Sequence, residues 1–133
     1  MNLVKISASG FLLLTSLAVL FQFALAFGAP WGEYAMGGKY PGTFPMEMRI
    51  AAIIQGLMLI FMAIVVLSRA GLALSKLHNF SRKAVWVVAV YCIIGLFLNI
   101  ITPSDKERML WAPILFLNVV FSLVVALNKN HRN

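Results

Sequence analysis

Four carboxylates, two histidines and one cysteine are the groups in this chain that could do acid–base, nucleophilic or metal chemistry. The carboxylates are Glu33, Glu47, Asp105 and Glu107. Two of them facing one cavity could act as acid and base, provided an apolar setting raised the pKa of one. His78 and His131 lie in basic surroundings, where solvated imidazoles are the plain reading. Cys92 stands alone, so it can form neither an internal disulfide nor a C-x-x-C couple, and it reads as a small packing residue. No His, Cys and carboxylate spacing suits a metal. No phosphate-cradling loop of the P-loop kind occurs, and no Ser–His pair is available to activate a nucleophile. The residues call for no cofactor, and they point to recognition rather than catalysis.

A second set of polar groups is uncharged and embedded in apolar sequence: Gln22, Gln55, Asn99 and Asn118. Thr15 and Gln22 lie seven apart on one helical face, with Ala8 and Ala26 on the same stripe. Ala52 and Gly56 flank Gln55 as a small-xxx-small pair. Tyr91, Gly95 and Asn99 follow at steps of four, as do Asn118, Ser122 and Ala126. Small residues let membrane helices approach, and amides or hydroxyls can bond across the contact for about 0.6 kcal/mol each. Helix packing therefore explains any one of these residues. If their faces converge, they line a polar vestibule instead.

The elements that must position them are four apolar runs, Ile6–Phe27, Ile50–Leu67, Ala84–Ile101 and Met109–Leu127, none with an ionisable Asp, Glu, Lys, Arg or His. Each is close to the ~20 residues a helix needs to cross a ~30 Å hydrocarbon core. The chain is 62% hydrophobic and 11% charged, with mean hydropathy +0.92. An ordinary soluble domain carries about 25% charged residues. The expected fold is all-α: a polytopic membrane protein with four transmembrane helices in an up-down bundle. Residues 1–133 form one domain, with helices at about 6–27, 49–68, 83–101 and 105–127 and an outer loop at 28–48. The first run has a basic Lys5 before it and Ala24-Leu25-Ala26 near its end. It is longer than the ~7–15 apolar residues of a secretory signal, so a retained helix is expected.

Lys5, Arg69, Lys76, Arg82, Lys83, Lys129 and Arg132 fall on one side, with no acid among them. On the other side, Lys39, Arg49, Lys106 and Arg108 balance the four carboxylates. Basic residues mark the cytoplasmic side, so both termini are expected in the cytoplasm of a cell carrying the protein in its inner membrane. The net charge of +7 is a topology signal and calls for no nucleic acid. This orientation puts Gln22, Gln55 and Asn99 in the outer half of the bilayer and Asn118 near its middle. Membrane-embedded acids or histidines, the usual mark of coupled transport, are missing. Small multidrug resistance transporters depend on a buried glutamate that is absent here.

Five of nine glycines and three of five prolines crowd the stretch from Phe27 to Arg49, together with five aromatic residues. Pro41-Gly42 suits a type II turn, and Gly37-Gly38 permits another turn or a close backbone approach. Trp31, Tyr34, Tyr40 and Phe44 can lie at the membrane interface, which makes the loop a lid. Across from it, Ser104 and Glu107 have capping-box spacing, and Pro113 should kink the fourth helix by freeing the Met109 carbonyl. Trp111, like Trp31 and Trp86, is placed as an interfacial anchor. Arg49 opposes the dipole at its helix start, so a carboxylate partner is expected (Glu107, Asp105 or Glu33), unless it snorkels to the interface.

"GAPWGEYAMGGKYPGTFPMEMR" with "TPSDKERMLWAP" resembles a group of small bacterial four-helix membrane proteins. They share a G-x-P-W-G, G-G, P-G-x-x-P, Arg pattern and a P-S-x-x-E-R-x-x-W-A-P pattern. The matching positions are Gly28, Pro30, Trp31, Gly32, Gly37, Gly38, Pro41, Gly42, Pro45 and Arg49, then Pro103, Ser104, Glu107, Arg108, Trp111 and Pro113. The resemblance implies the architecture and weight on the outer loops, with no activity attached. The leading expectation is a non-enzymatic protein in contact with the lipid bilayer. Its lid and vestibule would bind a lipid, a small amphiphile or a partner protein through Trp31, Glu33, Tyr34, Arg49, Gln22, Gln55, Asn99, Asn118, Glu107 and Trp111. The alternatives are a channel or transporter built as a homo-oligomer, and an enzyme acting on a lipid-linked substrate through the outer carboxylates.

Overall fold

Residues 2–128 are described in a computed structural model, and among them every regular element is helical. Four long helices follow in order: α1 (Leu3–Ala26), α2 (Met46–Arg69), α3 (His78–Ile101) and α4 (Asp105–Ala126). Each is long and apolar enough to cross a membrane. Single 3-10 turns at Gly32–Tyr34, Met36–Gly38 and Ser75–Leu77 sit in the connections. Lys129 and Arg132, counted in the charge pattern, and His131, read as a solvated imidazole, lie outside the described residues.

Three helices start earlier than their apolar runs suggest: α1 at Leu3 rather than 6, α2 at Met46 rather than 49, α3 at His78 rather than 83. The added turns are polar or mixed, and local chemistry accounts for two of them. The Asn2 Oδ1 caps α1 by accepting from the Lys5 N–H at 2.9 Å. At α3, the Ser81 hydroxyl bonds the His78 carbonyl at 3.0 Å and the Ser68 hydroxyl at 3.2 Å, tying the helix start to the end of α2. Pro113 lies inside α4, which continues through it as one element.

The helices form a ring in chain order. α1 packs along α2, α3 along α4, and α4 returns to α1, while α2 and α3 touch least of the four neighbouring pairs. The main core gathers at the end of the α2–α3 hairpin, with Ala8, Phe11, Met62, Val65, Val66, Val85, Val88, Cys92 and Val125 buried together. A second, smaller core of Leu25, Ala26, Phe44 and Ala52 closes the opposite end on the α1–α2 side only. Gly56 gives α1 and α2 their close fit there, because a Cβ at that position would come within 2.9 Å of the Phe23 ring.

Only 22–33% of the residues in each apolar window are buried within the protein. The outward faces, including Leu13, Leu20, Val87 and Phe97, are more than half exposed. Such a surface far exceeds the apolar patches a monomer in water carries and fits a hydrocarbon surrounding.

Candidate functional site

Between the two cores lies a cavity of about 740 Å³. It falls within the ~300–1,000 Å³ typical of small-molecule sites. All four embedded amides line it: Gln22 from α1, Gln55 from α2, Asn99 from α3 and Asn118 from α4. The i+4 stripes explain how. Thr15 and Gln22 share the inner face of α1, and Tyr91, Gly95 and Asn99 share that of α3. The Gln55 amide donates to the Tyr91 hydroxyl across the α2–α3 seam. The Asn118 amide donates to Thr15 Oγ1 at 3.3 Å, while Asn99 bonds back to the Gly95 carbonyl at 2.8 Å. The carbonyl oxygens of Asn99 and Asn118 are buried without a partner. Most of the rest of the wall is apolar, from Phe11 and Met62 at the base to Phe44 and Met48 near the top, with Tyr34, Thr102 and Glu107 at the roof.

The loop from Phe27 to Pro45 roofs this space, and Tyr34, Ala35, Met36, Gly37 and Phe44 of this lid line the cavity. Its fold depends on backbone packing that few side chains would allow. A Cβ on Gly32 would lie 1.8 Å from the Tyr40 carbonyl oxygen, and the Gly32 N–H bonds the Gly42 carbonyl at 2.9 Å. Gly42 has φ +80°, the value a type II turn needs at its third residue. Met36, Gly37 and Gly38 are all left-handed, which turns the Gly37 N–H onto Glu107 Oε1 at 3.0 Å.

Glu107 is the hub between the lid and α4. Its carboxylate also accepts from the Thr102 hydroxyl, and its own N–H bonds Ser104 Oγ at 3.1 Å. Only half of the expected capping box therefore forms. The Ser104 hydroxyl caps the helix and donates to the Glu33 carbonyl at 2.6 Å, but the Glu107 side chain is diverted to the lid. The Ser104 N–H turns to Thr102 Oγ1 at 3.2 Å instead. Glu33 pairs with Lys106, and Asp105 with Arg108.

Two expectations need correction. Among the described residues Arg49 has no carboxylate partner. Its Nε donates to the Ala26 carbonyl at 2.8 Å, so its charge sits at the negative end of the α1 dipole, where a cation is favoured. Trp111, expected as an interfacial anchor, is half-buried and turned inward. Its Nε1 donates to the Tyr34 carbonyl at 2.9 Å, and its ring meets Phe21 edge-on at 4.8 Å. Trp31 does lie near the surface, its ring parallel to Phe21 at 6.3 Å.

Of the ten residues singled out in the sequence, Gln22, Tyr34, Gln55, Asn99, Glu107, Trp111 and Asn118 line the cavity, while Trp31, Glu33 and Arg49 build its roof from outside. Thr15 and Tyr91 complete the polar lining, and their place on the amide stripes was the sequence signal for them. Met36 and Thr102 gave none, because their positions depend on the lid backbone.

We found no match between this chain and any family model, curated protein or solved structure. The site must speak through its own geometry. Among the described residues one carboxylate, Glu107, reaches the cavity, and no Lys or Arg side chain does. Among the described residues, no three His, Cys, Asp or Glu side chains gather as a metal site. What the arrangement offers is a largely apolar chamber with hydrogen-bonding groups on every wall.

Proposed function

We propose that the protein is a non-enzymatic integral membrane protein that binds an amphiphile in the cavity beneath its lid. The observation carrying this reading is the convergence of Gln22, Gln55, Asn99 and Asn118, one from each helix, on a single apolar chamber. Packing alone would need the amides only in pairs, and two of their carbonyl oxygens have no protein partner. A catalytic reading is disfavoured because Glu33 and Asp105 are engaged with Lys106 and Arg108, and Glu107 faces the cavity without a second acid. A pore between subunits is disfavoured because the amides turn inward within one chain, above a core that closes the base.

The charge asymmetry supports an orientation with both termini in the cytoplasm and the lid outside. In a bacterial inner membrane, which the loop motifs suggest, the lid would face the periplasm or exterior. The test is lipid analysis of purified protein. Wild type should retain about one amphiphile per chain, and Ala18→Phe, which fills the cavity from α1, should lose it while keeping its helical content. Equal retention by both proteins would overturn the assignment.

A further inference from the structure

The lining residues of the cavity differ sharply in how far they reach the outer surface. On α1 and α4 none is exposed: Phe11, Thr15, Ala18, Phe21 and Gln22, and Glu107, Trp111, Ile114, Leu115 and Asn118, are buried or half-buried. On α3, by contrast, Ile94, Leu98 and Ile101 line the cavity while remaining 54%, 55% and 58% exposed. Ala51 of α2 is likewise both lining and exposed. Met36 and Pro103 in the roof also line the cavity and are exposed, but within the membrane spans the exposed lining falls on α2 and α3, the least packed seam of the ring, and there the surface opens into the cavity. The Gln55–Tyr91 hydrogen bond crosses that seam one turn nearer the hairpin end and forms the lower edge of the mouth. Ala51, one turn above it on α2, presents only a methyl group there. The mouth faces hydrocarbon rather than water, because the residues around it lie within spans long and apolar enough to cross the bilayer.

Resting on the binding function proposed above, we infer that the ligand is an uncharged, single-chain amphiphile that enters sideways from the bilayer through the α2–α3 mouth. At roughly 30 Å³ per heavy atom, 740 Å³ holds about 25 atoms, enough for one chain with a small head and too few for a diacyl lipid. The head is uncharged because, among the described residues, no Lys or Arg lines the chamber to receive an anion, and Glu107 already accepts from Gly37 and Thr102. A charge carried in without a partner would be strongly disfavoured. A head with both donors and acceptors, such as hydroxyls, matches walls whose amides present both.

The experiment uses full-length protein in nanodiscs with Trp31→Phe and Trp86→Phe, which leaves the cavity-lining Trp111 as sole tryptophan, excited selectively beyond the tyrosine absorption band. Phenylalanine preserves an aromatic ring against Phe21. The probes are a monoacylglycerol, a fatty-acid anion and a diacyl phosphatidylcholine, each brominated on one chain. The monoacylglycerol should quench Trp111 saturably and at least tenfold more strongly than the other two at equal mole fraction. Ala51→Phe, which narrows the mouth, should slow the quenching phase at least tenfold. Ile53→Phe, on the same helix but outside the lining, should leave it unchanged. Saturable quenching at the wild-type rate in Ala51→Phe would overturn sideways entry alone. Equal quenching by the anion or the diacyl lipid would overturn the ligand class alone. Absence of saturable quenching by all three would overturn the binding function itself, and this inference with it.

Discussion

Removing the Glu107 carboxylate should unlatch the lid while leaving the bundle folded. In Glu107→Ala, the Gly37 N–H and the Thr102 hydroxyl both lose their acceptor. Hydrogen bonds to a charged group contribute about 1.5–3 kcal/mol each. Gly37 and Glu107 are half-buried, where water can partly replace the lost acceptor, while the Thr102 hydroxyl is buried; taking the lower end for each bond, the pair is worth about 3 kcal/mol. A tenfold change in an equilibrium corresponds to about 1.4 kcal/mol, so lid opening should rise on the order of 100-fold. Amide hydrogen exchange at Gly37 and Gly38, followed in nanodiscs, reads this opening directly. Glu107→Gln keeps a neutral acceptor and should raise exchange by about tenfold, since neutral hydrogen bonds are roughly half as strong. Protection of the core around Val65, Val66 and Val85 should not change, because that cluster lies at the far end of the helices. Gly37 exchange within twofold of wild type in Glu107→Ala would refute the assignment of Glu107 as the latch. Loss of protection throughout the bundle would refute the independence of lid and core.

Three other substitutions probe separate contacts. Gly32→Ala should disorder the lid and expose Trp111 to aqueous quenchers, because its Cβ cannot share space with the Tyr40 carbonyl at 1.8 Å; unchanged Trp111 accessibility would contradict this. The double exchange Arg49→Glu with Glu107→Arg should melt no higher than the worse single variant, since Arg49 caps Ala26 and does not face Glu107; rescue by the pair would show that the two side chains do meet. Cysteines replacing Gln22 and Asn99 in a Cys92→Ser background should be joined by a short bifunctional thiol reagent within one chain, because both positions line one cavity; failure to crosslink would mean that the chamber is not shared.

The four helices were legible because a charge-free run of suitable length has few other fates in lipid. Their polar N-terminal turns were less so, since hydropathy falls off before the hydrogen bonding does, as at His78–Lys83. The amides could be assigned to faces by spacing, but whether the faces met depended on helix rotation, which packing such as Phe23 on Gly56 decides. Arg49 shows the clearest limit. Sequence reveals acids that might pair with it, but not a bare backbone carbonyl at the end of another helix. Trp111 misled for a similar reason. Its position along α4 fits the interface, but its rotation brings its N–H to the Tyr34 carbonyl. Sequence reasoning found Glu107 through the capping box and missed its main partner, because the Gly37 N–H is presented only once three successive residues turn left-handed.

The lid's fastenings bear on which side of the cavity is free to open. Ser104 holds the Glu33 carbonyl, Glu107 holds Gly37, Trp111 holds the Tyr34 carbonyl, and Lys106 holds the Glu33 carboxylate. All four donors or acceptors belong to the start of α4. Phe21 of α1 stacks against Trp31, and Arg49 bonds the end of α1. Phe44 sinks into the small core with Ala52 and so joins the lid to α2. None of these side-chain tethers is made by the exposed face of α3 that carries Ile94, Leu98 and Ile101. Opening the roof toward water would break several polar contacts together, whereas parting α2 from α3 at their outer halves, with the Ser68 contacts to His78 and Ser81 at the hairpin end kept, breaks one, Gln55 to Tyr91. Surfaces bared by that parting are apolar and would be covered by lipid chains at little cost. The sequence spends its glycines, prolines and charges on a firm seal at the aqueous end, and the same allocation leaves the hydrocarbon side as the cheaper way in.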